Sequence, residues 1–196
     1  IQIESYKEVV NLGEKALKIF PNKDDLRVLI AIGNFHLNEY EVVYEMLKNT
    51  GENFDEPVLK MQKNILLAES AFKINKINEA FSIFEMLIKE FPDNLIIKNN
   101  YSYYLALEKK DLEKAKKLSL ETIKSDPKSS TFLDTYGWIL FQMEDFDNAE
   151  KFIRDAVKYS SEINEEIIEH LVEVLIKNNK YSEAEYYMKK LKIKNE

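Results

Sequence analysis

Ala80, Ala115, Ala149 and Ala184 stand 35, 34 and 35 residues apart. Each follows a bulky apolar residue by three positions: Ile77, Leu112, Phe146 and Tyr181. So regular a recurrence means that one supersecondary unit has been copied and that the copies bury their apolar faces on one another. Within a copy the spacing is helical. Between residues 79 and 90, Ala80, Ile83, Phe84, Leu87 and Ile88 recur at intervals of three and four. Sustained alternation bounded by Asn-Gly turns, the mark of β-hairpins, is missing.

With each alanine taken as position 20 of a 34-residue unit, copies start at Met61, Ile96, Ser130 and Glu165. Position 8 then holds the small Ala68 and Gly137, but Tyr103 and Val172 in the other two copies. Pro92 and Pro127 fall at position 32, where one helix ends and the next opens. Extended backward, the same ruler places Pro21 at position 32 of a half unit carrying Tyr6 and Ala16. A further unit starts at Asp24, with Ala31 at position 8 and Val43 at position 20. Its junction to Met61 is three residues longer than the period and contains Gly51 and Pro57, which predicts a loop or local kink.

Short polar pairs separate the two helices of each copy: Asn38-Glu39, Asn75-Lys76, Lys110-Asp111, Glu144-Asp145 and Asn179-Lys180. Asparagine suits a left-handed helix end, and Asp111 and Asp145 suit the caps of the helices that follow. The chain is predicted to be all-α, with eleven antiparallel helices: one unpaired near residues 5–20, then five pairs. The single array divides into a half repeat (1–23) and repeats at 24–60, 61–95, 96–129, 130–164 and 165–196.

A helix–turn–helix of about 34 residues with small residues at positions 8, 20 and 27 and proline at 32 resembles the tetratricopeptide repeat. The fullest copy runs Leu133-Asp134-Thr135-Tyr136-Gly137-Trp138-Ile139-Leu140-Phe141, followed by Asp145, Phe146, Ala149, Ile153 and Ala156. The resemblance covers nearly the whole chain. From Asn99 to Phe141 it extends to multi-repeat bacterial tetratricopeptide proteins of unknown function, many of them associated with the cell envelope. It implies an α–α superhelix, that is, a tetratricopeptide-type α-solenoid. Departures are Val43 at position 20, Gly13 and Ser119 at position 24, and Thr50, Thr122 and Leu191 at position 27. They put tight packing of the first unit in question.

The resemblance also implies that positions 2, 5, 9, 12 and 13 of each copy face a concave groove. Position 12 reads Phe35, Phe72, Leu107, Phe141 and Ile176, an apolar line that is either a row of anchors or part of the core. Position 9 adds Tyr104 and the only tryptophan, Trp138, both expected to be exposed in the groove. Asp134, Glu166, Glu169 and Glu173 make the C-terminal end acidic. The candidate partner-binding residues are therefore Phe35, Phe72, Tyr104, Leu107, Asp134, Trp138, Phe141, Glu169 and Glu173. The partner they imply is a protein or peptide with apolar or aromatic anchors and basic residues. The Lys/Asn/Arg clamp of chaperone-tail binders is not matched at Ile65, Glu69, Asn100 and Tyr104.

Composition narrows the function further. There are 35 acidic against 28 basic residues, a net charge of -7, which argues against nucleic-acid partners. No apolar run reaches the roughly 20 residues of a membrane span, so direct membrane insertion is not expected. Cysteine is absent and the four glycines form no phosphate-cradling loop. His36 and His170 lie far apart in sequence and are read as packing or surface residues. Asp145-Phe146-Asp147 fails as a calcium loop because Ala149 takes a ligand position. Glu165, Glu169 and Glu173 read as a solvated ridge. No enzyme, cofactor or metal is expected. The expected function is a non-enzymatic interaction scaffold, with a regulatory or sensing domain of a larger signalling protein as the alternative. The chain opens Ile1-Gln2-Ile3, without an initiator methionine, and is expected to be the C-terminal part of a longer protein. The compartment stays open between cytoplasm and cell envelope. Val9, Val10, Leu12, Ala16 and Ile19 on the first helix are expected to be half covered, leaving a surface for upstream repeats or self-association. The closing lysines, Lys189 to Lys194 ahead of Asn195 and Glu196, are expected to solvate the last helix end.

Overall fold

The computed structural model describes residues 3–51, 54 and 56–194. Eleven helices and no strands occur among them. Asn195 and Glu196 of the lysine-rich end, Ile1 and Gln2, and Glu52, Asn53 and Asp55 of the long junction lie outside the described residues.

The chain divides into two compact units, one up to Asp93 and one from Asn94 onward. In the first, α1 (Ile3–Ile19) pairs with α2 (Asp24–His36), which also packs on α3 (Tyr40–Lys48) and α4 (Pro57–Lys73); α4 pairs with α5 (Ile77–Glu90). In the second, α6 (Leu95–Leu107) packs on α8 (Ser130–Gln142), and α8 packs on α10 (Glu165–Lys177). Their hairpin partners are α7 (Leu112–Ser125), α9 (Phe146–Tyr159) and α11 (Tyr181–Lys194). The lengthened junction breaks the chain between Lys48 and Pro57, and the proline opens α4, where its missing N–H costs no hydrogen bond.

The repeated alanines sit inside the core of the hairpins. Ala80, Ala115, Ala149 and Ala184 are all buried, as are Ala31 and Ala68. At Gly137 a Cβ would stand 2.5 Å from Ile153 Cγ1 and 3.2 Å from the Ala149 carbonyl oxygen, so α8 lies directly on the backbone of α9. A glycine inside a helix costs about 0.5–1 kcal/mol relative to alanine, and this contact is what it makes room for. Val43 is as buried as the alanines it replaces, and with Val28, Ala31, Leu47 and Leu66 it forms a closed cluster. The first full repeat is thus well packed despite its departures. In the second unit Leu133, Leu140, Ile153, Ile167 and Leu171 belong to one core, each contributing roughly 1.5–3 kcal/mol by burial.

All five hairpin turns share one backbone closure, although the turn between α6 and α7 is a residue longer than the others and places Asp111 at positive φ as well. Asn38, Asn75, Lys109, Glu144 and Asn179 have positive φ, between 50° and 64°. The next amide reaches back five residues: Glu39 to Asn34, Lys76 to Ala71, Lys110 to Leu105, Asp145 to Leu140 and Lys180 to Leu175, at 2.8–3.0 Å. This satisfies carbonyls that the helix end would otherwise leave open. Asparagine was expected at such ends; lysine and glutamate hold the same conformation against a steric cost. Glu144→Gly should therefore stabilise the protein by about 1 kcal/mol, raising the thermal midpoint by about 2–4 °C. Lys109→Gly should do the same in a calorimetric scan. Asp111 and Asp145 cap α7 and α9 as expected, accepting from the amides of Lys114 and Asn148 at 3.3 and 3.4 Å.

Candidate partner-binding face

The inner helices of the second unit start from firm caps. Asn94, Ser129 and Asn164 accept from the amides of Ile97, Phe132 and Ile167, fixing the first turns of α6, α8 and α10. Those helices bring together groups far apart in sequence. The Tyr103 hydroxyl donates to Glu166. His170 Nδ1 lies 2.9 Å from Asp134 Oδ2, its N–H donating to the carboxylate. The His170 ring stacks on Trp138 with centroids 4.0 Å apart and planes 16° from parallel, and Trp138 stacks in turn on Phe141 at 4.8 Å.

Trp138 and Tyr104, expected to be open to the groove, are each only 7% accessible. For Trp138 the correction has a plain physical cause: α10 lays His170 flat against the indole, covering a ring that α8 alone would present to solvent. Asp134 is also buried, at 6% accessible. Burial pushes its carboxyl above the usual range, an effect that the His170 hydrogen bond opposes. The Tyr103 hydroxyl is pushed up, first by burial and then by its bond to Glu166. Leu107, Glu169 and Glu173 are exposed, and Phe141 is half-buried. In the first unit Phe35 and Phe72 are half-buried, Phe35 beside Tyr40 at 5.3 Å and Phe72 beside Phe81 at 6.3 Å. Each packs on a core cluster of its own unit, so these position-12 side chains are at once partly core and partly accessible.

Glu169 and Glu173, one turn apart on α10, have no ion-pair partner among the described residues. They border a pocket of about 310 Å³ completed by Val172, Met188 and Leu191. Lys98, the cation on α6, is already committed to Glu121 of α7 at 2.6 Å. Lys177, one turn beyond Glu173 on α10, lies over the Phe146 ring at 6.0 Å and forms no ion pair with either glutamate among the described residues. Among the described residues no group of three His, Cys, Asp or Glu side chains is placed to hold a metal ion. No helix among them is long and apolar enough to cross a membrane.

From sequence His170 reads as a packing or surface residue and Tyr103 as a looser repeat contact; neither reading contains the Asp134–His170 or Tyr103–Glu166 bond. The signal available was the 36-residue separation of Asp134 and His170, which places them near equivalent turns of successive inner helices. His36 does pack simply, stacked on Tyr6 at 4.2 Å.

Residues 65–94, spanning most of α4 and all of α5, match the family model of the tetratricopeptide repeat. Solved structures agree over much more of the chain. TTC0263, a thermophilic TPR protein in Thermus thermophilus, superposes with a TM-score of 0.72 at 17% identity, covering 85% of this chain and 89% of its own. The chain carries the tetratricopeptide-repeat fold. BtubC (BKLC) from P. vanneervenii is similar at a TM-score of 0.64 and 17% identity, over 97% of this chain and 88% of that one. MamA from Desulfovibrio magneticus RS-1 is similar at 0.63 and 14% identity, over 85% and 92%. A search of curated proteins by sequence finds no match. The tetratricopeptide hairpin matched by the family model is the one ending at Pro92, while the fullest copy read from sequence, at Ser130, lacks that proline.

Proposed function

We propose that the chain is a non-enzymatic interaction module that holds a protein segment against the inner helices of its tetratricopeptide hairpins. The observation that carries this reading is the pair of carboxylates without ion-pair partners among the described residues, Glu169 and Glu173, bordering a pocket completed by Val172, Met188 and Leu191; the half-buried Phe141 of α8 is a further anchor position. A segment with aliphatic or aromatic anchors would cover Leu107, Phe141 and Met188, and its Lys or Arg residues would pair with the two glutamates. Phe35 and Phe72 offer comparable anchor positions in the first unit. Asp134 and Trp138 act from beneath: Trp138 stacks on Phe141, and both hold His170 of α10. Tyr104 is buried on α6.

The burial of Trp138 decides the test. Its removal would disturb the fold, so the exposed carboxylates are the sites to change. Partners captured from extract of the source cell by the wild-type chain should be lost or weakened at least tenfold with Glu169→Lys/Glu173→Lys, in line with the cost of reversing charges at an interface. Circular dichroism of the variant should be unchanged. Equal capture by both forms would remove this face as the site.

A further inference from the structure

We propose that α1 is a self-association surface through which two copies of this chain pair as antiparallel helices about a two-fold axis. The helix has one face committed to its own unit. Tyr6 stacks on His36, a Cβ at Gly13 would stand 2.5 Å from Ile30 Cγ1, and one at Gly33 would stand 2.8 Å from Val10 Cγ2. Beside that face run Val9, Leu12, Ala16 and Ile19 at intervals of three, four and three, the spacing of a two-helix seam, with Val9 at the edge nearest Gly33 of α2. Val9, Leu12 and Ile19 are 42, 65 and 70% accessible, and Phe20 extends the stripe. A contiguous apolar stripe of this kind on a charged helix marks a contact surface.

The charges beside the stripe name the occupant. One flank lies toward α2; the free flank carries Glu8 and Lys15, seven residues apart, exposed and without ion-pair partners among the described residues. Antiparallel pairing of two identical helices sets free flank against free flank. Glu8 of each copy then meets Lys15 of the other, giving two ion pairs around Leu12 at the centre. The surface is complementary to itself, so the assembly closes at two and leaves nothing open for a third copy.

Sedimentation equilibrium of the 196-residue chain at micromolar concentrations tests this. The expected mass is twice that of one chain. Leu12→Glu should give a monomer with unchanged far-ultraviolet circular dichroism. Glu8→Lys should weaken the dimer about tenfold, and Glu8→Lys with Lys15→Glu should restore it. A wild-type monomer at every concentration, a mass above two chains, a dimer indifferent to Leu12→Glu, or a double swap that fails to restore pairing would each overturn the proposal.

Discussion

Trp138→Ala is expected to lower the unfolding free energy by about 3–5 kcal/mol, the range for deleting a buried aromatic ring. The side chain is only 7% accessible, and two ring stacks depend on it, one to Phe141 on its own helix and one to His170 on α10. Its removal opens a cavity between those helices and uncovers the buried Asp134–His170 pair. Trp138→Phe should cost far less, about 1 kcal/mol. The indole Nε1 is buried without a hydrogen-bond partner, so phenylalanine keeps a stacking ring while discarding an unsatisfied donor. Urea unfolding followed by circular dichroism separates the two variants, since both lack the chain's single tryptophan and its fluorescence. Equal losses for the two variants would show that ring stacking is not what carries the effect.

What could be read from sequence follows from what repeats. Alanine at a fixed interval reports a backbone approach that every hairpin must make, so Ala80, Ala115, Ala149 and Ala184 placed the helix pairs before any coordinates. Turn chemistry is also local: Asn38, Asn75 and Asn179 take the left-handed end that their side chains favour, and Asp111 and Asp145 cap as their positions suggest. Exposure is not local. A helical wheel gives the direction of Trp138 but not the ring of His170 laid over it from α10. Nor does side-chain preference disclose that Lys109 and Glu144 adopt the asparagine conformation: the amide of the next residue closes the end of α6 or α8 by the same bond five residues back, whatever side chain stands there. The candidate site was legible as a set of positions; which of them reach solvent was decided by contacts between neighbouring repeats.

Glu150 is the clearest case of a group invisible to the repeat pattern, and acid should expose its role. Its carboxylate, 9% accessible, accepts from Arg154 Nε at 2.8 Å, Lys180 Nζ at 2.7 and 2.9 Å, and Asn178 Nδ2 at 2.6 Å. Asn178 also donates to the Phe146 carbonyl oxygen at 3.2 Å, and Arg154 reaches Glu183 at 2.5 Å, so α9, α11 and the turn between α10 and α11 meet at one side chain. Burial alone would push the carboxyl up; the bonds from Lys180, Asn178 and Arg154 outweigh it and hold the carboxyl at about 2, against an ordinary 4.5. The unfolded chain therefore binds a proton at a pH where the folded chain does not. The resulting stabilisation, on the order of 3 kcal/mol, is fully present above about pH 4.5 and drains away as pH falls toward 2. Glu150→Gln, which imitates the protonated carboxyl, should cost about 2–3 kcal/mol at pH 7. Its urea midpoint should converge on that of the wild type as pH falls from 4.5 toward 2, because both chains then carry a neutral side chain at the junction. A gap of constant size across that interval would mean that Glu150 contributes through shape alone.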